Sequence, residues 1–182
     1  MALFELTQGY PYSIECILNS LSPDIQRLPD VAALADIVFF ELTNRLGALF
    51  EHYENEYGKY GKYVEQLNGD HTIRKILYWI TNHPDERIFP DKIAEQFGVG
   101  LLQGQDGLDK LYRADIIERA SISTFWGPKD PLLREYLKYE HYIEIDKLTD
   151  QAAETKLRQA LNRKQGEMNR QAGHFSEIIP ST

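Results

Sequence analysis

From Val31 the apolar positions advance by three or four residues at a time, through Leu34, Ala35, Val38, Phe39, Leu42, Leu46, Leu49, Phe50, Tyr53, Tyr57, Tyr60, Val64 and Leu67. That period places them on one stripe and predicts a long amphipathic helix, or two in line, starting at Pro29 and Asp30. Gly58 and Gly61 in "NEYGKYGKYVEQL" weaken the helix and predict a bend or break there. The repeated Gly-Lys-Tyr reads as that kink, with its tyrosines covering a core edge, ahead of any ligand role. "NGD" at 68–70 is a turn signal and the best boundary in the chain.

Past the turn the helical period resumes. "HTIRKILYWITNH" sets Ile73, Ile76, Leu77 and Ile80 on one face and ends at His83-Pro84, because proline cannot continue a helix. "FPDKIAEQFGV" predicts a short helix with Pro90 near its first turn and Gly98 just past its end. "LLQGQDGLDKLYRADIIER" predicts a third, with Leu108, Leu111 and Tyr112 inward. "IIERASISTFWG" alternates and predicts a small β-hairpin, and "DPLLREYLKYEHYI" returns to helix through Leu133, Tyr136 and Leu137. Three helices, a hairpin and a closing helix make a winged helix-turn-helix. After Ile145 a polar segment with a thin stripe of Leu148, Ala152, Leu157, Leu161 and Met168 predicts a solvated or linker helix that needs a partner to pack firmly. The fold class is therefore mainly α, in three parts: a helical region 1–67, a winged helix 68–145, and a linker helix with the start of a further segment, 146–182.

Composition narrows the chemistry. The chain of 182 residues carries a formal charge of −8, of which residues 1–66 hold −6, 67–142 hold −2 and 143–182 hold none. An acidic surface repels nucleic acid, so any DNA contact must come from the middle or the tail. No run of about eighteen apolar residues and no secretory leader occurs, which predicts a cytoplasmic protein. The single cysteine, Cys16, sits among Ile14, Ile17 and Leu18 and reads as a small buried apolar residue. The five histidines are scattered without metal-ligand spacing, Glu51, Glu54 and Glu56 read as a solvated helix face, and neither Ser13 nor Ser123 lies in a nucleophile elbow. No phosphate loop is present, since tyrosine follows both Gly-Lys pairs where a hydroxyl would bind Mg²⁺. The chain is read as non-catalytic, with no metal site and no cofactor of its own.

One stretch is unaccounted for by these patterns. "LTQGYPYSIECIL" opens the chain on a Gly-x-Pro turn, and it resembles the segment that follows the nucleotide-binding domain in STAND-type P-loop ATPases of the archaeal-type group, relatives of AAA+ proteins. The resemblance runs from about Leu6 to Leu137, through "KIAEQFG", "LDKLYRADIIER" and "FWGPKDPLLREYL", and rests on the order and spacing of short motifs. It implies a fragment whose ATPase core, with ATP or ADP and Mg²⁺, lies in a parent protein, whose 1–67 region is a helical lid, and whose Gly9 and Pro11 pack near the adenine. The alternative for these two residues is a helix cap by a turn. Some members of the group continue into a nuclease-like domain behind a segment similar to "AGHFSEII", with Glu177 at an acidic position; a simple linker is the preferred reading here.

In the winged helix the third helix carries Gln103, Gln105, Lys110 and Arg113, with Arg119 and Lys129 near the wing. These types suit base edges and phosphates. Asp106, Asp109, Asp115 and Glu118 roughly cancel the cations, which favours a protein partner over DNA. The expected function is a regulatory and interaction region that senses nucleotide state through the lid and passes it on through the winged helix. Its partners are then the preceding ATPase domain and a further protein, ahead of DNA and with no membrane, and a homo-oligomer is left open. The competing reading is a free-standing winged-helix DNA-binding regulator, with the tyrosine-bearing helix as a dimerisation arm.

Overall fold

The computed structural model describes residues 2–21, 30–55 and 72–178, with Ala2, Val31 and residues 171–178 described by backbone alone. Among the described residues the chain is mainly helical with one small antiparallel sheet. Its elements run α1 (Ala2–Thr7), α2 (Pro11–Asn19), α3 (Val31–Thr43), α4 (Ala48–Tyr53), α5 (Thr72–Asn82), α6 (Pro90–Phe97), α7 (Leu101–Arg113), β1 (Glu118–Ser121), β2 (Thr124–Trp126), α8 (Pro131–Glu144) and α9 (Asp150–Ile178).

Local chemistry sets most of these boundaries. The Asp30 carboxylate accepts from the Ala33 amide at 2.9 Å and caps α3. Proline opens α2, α6 and α8, where its missing N–H would be unbonded anyway. Gly98 ends α6 in the left-handed conformation at φ +62°.

The long stripe from Val31 breaks earlier than its pattern predicts. The helix stops at Thr43 and restarts at Ala48. Two groups at the turn explain it. Glu41, 4% exposed, accepts from Ser20 Oγ at 2.6 Å and from the Leu49 amide at 3.2 Å, so a side chain of α3 caps the first turn of α4. Gly47 lets the chain approach closely: a Cβ there would lie 2.9 Å from the carbonyl oxygens of both Glu41 and Asn44. Leu46, the position of the stripe that falls in the turn, is 90% exposed, and the buried set resumes at Leu49 and Phe50 because α3 and α4 face the same core. Tyr57, Tyr60, Val64, Leu67, the glycines 58 and 61 and the turn at 68–70 lie outside the described residues.

One core runs through the helices and β2, while β1 contributes no buried side chain to it. Ile17 of α2, Leu34, Val38 and Leu42 of α3, Leu49 and Tyr53 of α4, Ile76 and Ile80 of α5, Ile93 of α6, Leu108 of α7, Phe125 of β2, Tyr136 of α8 and Leu157 of α9 are buried in a single cluster. Each such side chain contributes roughly 1.5–3 kcal/mol of transfer free energy. Tyr112 departs from expectation: it lies at the surface, 40% exposed, while Leu108 and Leu111 face inward.

β1 and β2 pair antiparallel, Glu118 with Trp126 and Arg119 with Phe125, with a register irregularity before Ser121. Ile88 adds a third line, exchanging both backbone hydrogen bonds with Phe125 at 2.9 and 3.0 Å. The polar helix α9 finds its partners within the chain, lying along α3 and α8. Among the residues of α9 whose burial is described, the buried ones are Ala153, Leu157 and Leu161, so the seam passes through Ala153 and not through Ala152. Arg158 pairs with Asp36 at 2.7 Å and lies 4.0 Å from the centre of the Phe39 ring. Lys164 reaches Glu135 at 2.7 Å.

Candidate functional site

Gly9 and Pro11 form the turn between α1 and α2. Gly9 sits at φ +81°, and a Cβ on it would come within 2.8 Å of Phe4 Cε2. Its amide donates to Thr7 Oγ1 at 3.3 Å and the Tyr10 amide donates to the Thr7 carbonyl at 3.1 Å. Pro11 is the first residue of α2 and is exposed. Gly9 is thus demanded by the backbone and by the Phe4 ring, whereas Pro11 has an open face. Gly9→Ala is expected to lower stability by about 2 kcal/mol through backbone strain and displacement of Phe4, and Pro11→Ala by at most about 1 kcal/mol through unfolded-state entropy. Urea titrations of the two variants check this, and equal losses would mean that the turn constrains both residues alike.

Tyr10, between them, links this turn to the other predicted residues. Burial raises its hydroxyl pKa, the charges of Asp130 and Glu118 raise it further, and those of Lys129 and Arg134 act against them. The Gly-x-Pro turn therefore lies within electrostatic reach of the hairpin base and the start of α8.

On α7 and the hairpin the structure brings the predicted readers together but pairs most of them. Gln105 Nε2 donates to Asp109 Oδ2 at 2.9 Å, and the other oxygen of Asp109 accepts from Arg119 at 2.5 Å. The Arg119 guanidinium also lies over the Tyr112 ring, 4.6 Å from its centre, which fixes its orientation. Lys110 pairs with Asp106 at 2.7 Å, and Lys129 pairs with Glu118. Gln103 and Arg113 are exposed, and Arg113 has no ion-pair partner among the described residues. Beside them Leu101 (57%), Leu102 (85%) and Ile122 (93%) stand exposed at the start of α7 and in the turn of the hairpin.

Pattern reading passed over one constellation. Asp130 Oδ1 accepts from the amides of Leu132 and Leu133 at 2.9 and 3.4 Å, capping α8. Its Oδ2 accepts from the Tyr53 hydroxyl at 2.7 Å and the Ser13 hydroxyl at 3.5 Å, and those two hydroxyls are 3.1 Å apart. All three side chains are buried, and they tie α2 and α4 to α8. The Asp-Pro pair ahead of an apolar run was the available signal, since it marks a helix start.

Cys16 is buried, and burial raises its thiol pKa. Among the described residues no three His, Cys, Asp or Glu side chains are grouped to hold a metal ion. No described helix is long and apolar enough to cross a membrane. Compared with family models, curated proteins and solved structures, the chain shows no significant match to any.

Proposed function

We propose that this chain is a non-catalytic regulatory and interaction region of a P-loop ATPase, a helical lid followed by a winged helix, that couples nucleotide state to a protein partner. The order of α5, the Ile88 bridge, α6, α7 and the β1–β2 hairpin supports the winged-helix part of this reading. The observation that carries the coupling is the junction at Asp130. Ser13 lies on the helix that Gly9 and Pro11 open, and it shares a carboxylate with the first turn of α8. A displacement of the turn would reach the closing helix through that contact. ATP or ADP with Mg²⁺ would belong to the parent's ATPase domain, with Pro11 presenting its exposed ring to the base.

The ion pairs favour a protein over DNA. Phosphate binding requires free cations, and Lys110, Arg119 and Lys129 each hold a carboxylate of this chain. Exposed leucines at the start of α7 offer apolar contact instead. Near physiological salt the chain is expected to form no sub-micromolar complex with duplex DNA by fluorescence anisotropy. A tight complex that weakens on changing Lys110 and Arg113 to alanine would overturn the protein-partner reading and favour a free-standing DNA-binding regulator.

A further inference from the structure

α5 and the end of α8 enclose a cleft of about 380 Å³ lined by Arg74, Lys75, Glu144, Ile145 and Lys147. Three cations facing one carboxylate make a local positive excess in a chain whose net charge is −8. Such a departure from the overall field concentrates anions. Arg74 is held in place by Glu144 and is largely covered, with 14% of its side chain exposed. Lys75 and Lys147 are exposed and have no ion-pair partner among the described residues. Asp146, between Ile145 and Lys147 in the chain, accepts from the Tyr78 hydroxyl at 2.8 Å. The cations predicted on α7 and the hairpin differ, because most carry their own carboxylate.

A buried histidine lies at the same α5–α8 contact. His141 lies one turn before Glu144 and Ile145 on α8, 4% exposed, its ring 5.0 Å from that of Tyr78 and within the field of Arg74. Its Nδ1 is buried without a hydrogen-bond partner. A buried polar atom left open calls for an explanation, but His141 does not line the cleft, whose cationic character comes from its own lining residues.

We propose that the cleft between α5 and the end of α8 binds a phosphate-bearing small molecule, with Arg74 as the oriented donor and Lys75 and Lys147 as the mobile charges. The volume matches a small-molecule site, and Ile145 supplies an apolar wall for the ligand's organic part. Two exposed lysines are too few for a duplex backbone, which needs a row of cations.

The test titrates the whole chain with inorganic pyrophosphate, following calorimetry and the amide resonances of residues 74, 75, 145 and 147. Saturable one-site binding is expected. Lys75→Gln combined with Lys147→Asn should weaken it about tenfold or more, as expected for loss of charge-assisted contacts. Asparagine is chosen at 147 because the backbone there is left-handed, at φ +55°. Both lysines are exposed and without an ion-pair partner among the described residues, so the variant should melt with the unsubstituted chain. Lys110→Gln combined with Arg113→Gln should leave the affinity within about twofold. Absence of saturation, equal weakening by both pairs of substitutions, or displacement of pyrophosphate from these residues by duplex DNA at lower concentration would overturn the proposal.

Discussion

Asp130→Ala is expected to lower the stability of the chain by about 3 kcal/mol, the sum of a lost helix cap at about 1 kcal/mol and two buried hydroxyls deprived of a charged acceptor at about 1 kcal/mol each. The second term is kept small because Tyr53 and Ser13 are 3.1 Å apart and can still bond to each other. Asp130→Asn separates the two roles. Its amide oxygen can still cap Leu132, while the Tyr53 hydroxyl meets a neutral partner, so roughly half the loss should remain. Tyr53→Phe removes the other end of the strongest contact, 2.7 Å long, and leaves the cap intact. Because these groups share one network, the Asp130→Asn and Tyr53→Phe effects should fall short of additivity by about 0.5 kcal/mol or more. Urea unfolding of the unsubstituted chain, the three single variants and the Asp130→Asn/Tyr53→Phe double variant reads all of this. A loss below about 0.5 kcal/mol for Asp130→Ala would place the residue among ordinary surface positions and remove the junction between α2, α4 and α8.

What could be read from the sequence divides along this same line between local and distant chemistry. Asp130-Pro131, Asp30, Pro90 and Gly98 mark helix ends through bonds within a few residues of themselves, so their roles are visible in the string. The hairpin was legible for the same reason, since alternation from Ile116 to Trp126 is a local pattern. Glu41 was not. It lies between Phe40 and Leu42 like any solvated helix residue, and only the folded chain brings Ser20 and the Leu49 amide to it. The break at Gly47 was hidden with it, because the apolar period runs through the turn undisturbed. Tyr53 and Ser13 stand 77 and 117 residues from Asp130, and no spacing rule connects positions so far apart. On α7 the residue types were legible but their pairing was only partly so. Asp106 to Lys110 is an i,i+4 pair on one helix, whereas Arg119 crosses from the hairpin to Asp109.

Among the described residues His141 carries the largest expected dependence on pH on the acid side of neutrality. Burial, and then the charge of Arg74, lower its pKa to about 3 from the ordinary 6.5. Below pH 6.5 the unfolded chain binds a proton at this ring and the folded chain does not, so stability rises with pH across the window. The contribution is fully present above about pH 6.5 and is lost progressively as the pH falls toward 3, amounting to roughly 4–5 kcal/mol over the whole span. Carboxylates add to the loss near the acid end. Glu135 is one: burial opposes its ionisation, but Lys164 and Lys138 hold its pKa below the usual value, so its stabilisation disappears as the pH falls through that value. The clean interval is therefore pH 6.5 to 5, where His141 alone should remove about 2 kcal/mol. His141→Phe keeps an aromatic ring beside Tyr78 and removes the unpartnered nitrogen, a replacement of polar by apolar that is close to neutral or stabilising at pH 7. Urea unfolding of both chains at pH 7, 6.5, 5.5 and 5 should then show the parent losing stability while the variant stays nearly level. Parallel slopes for the two chains would mean that the ring takes up its proton without leaving the α5–α8 interface.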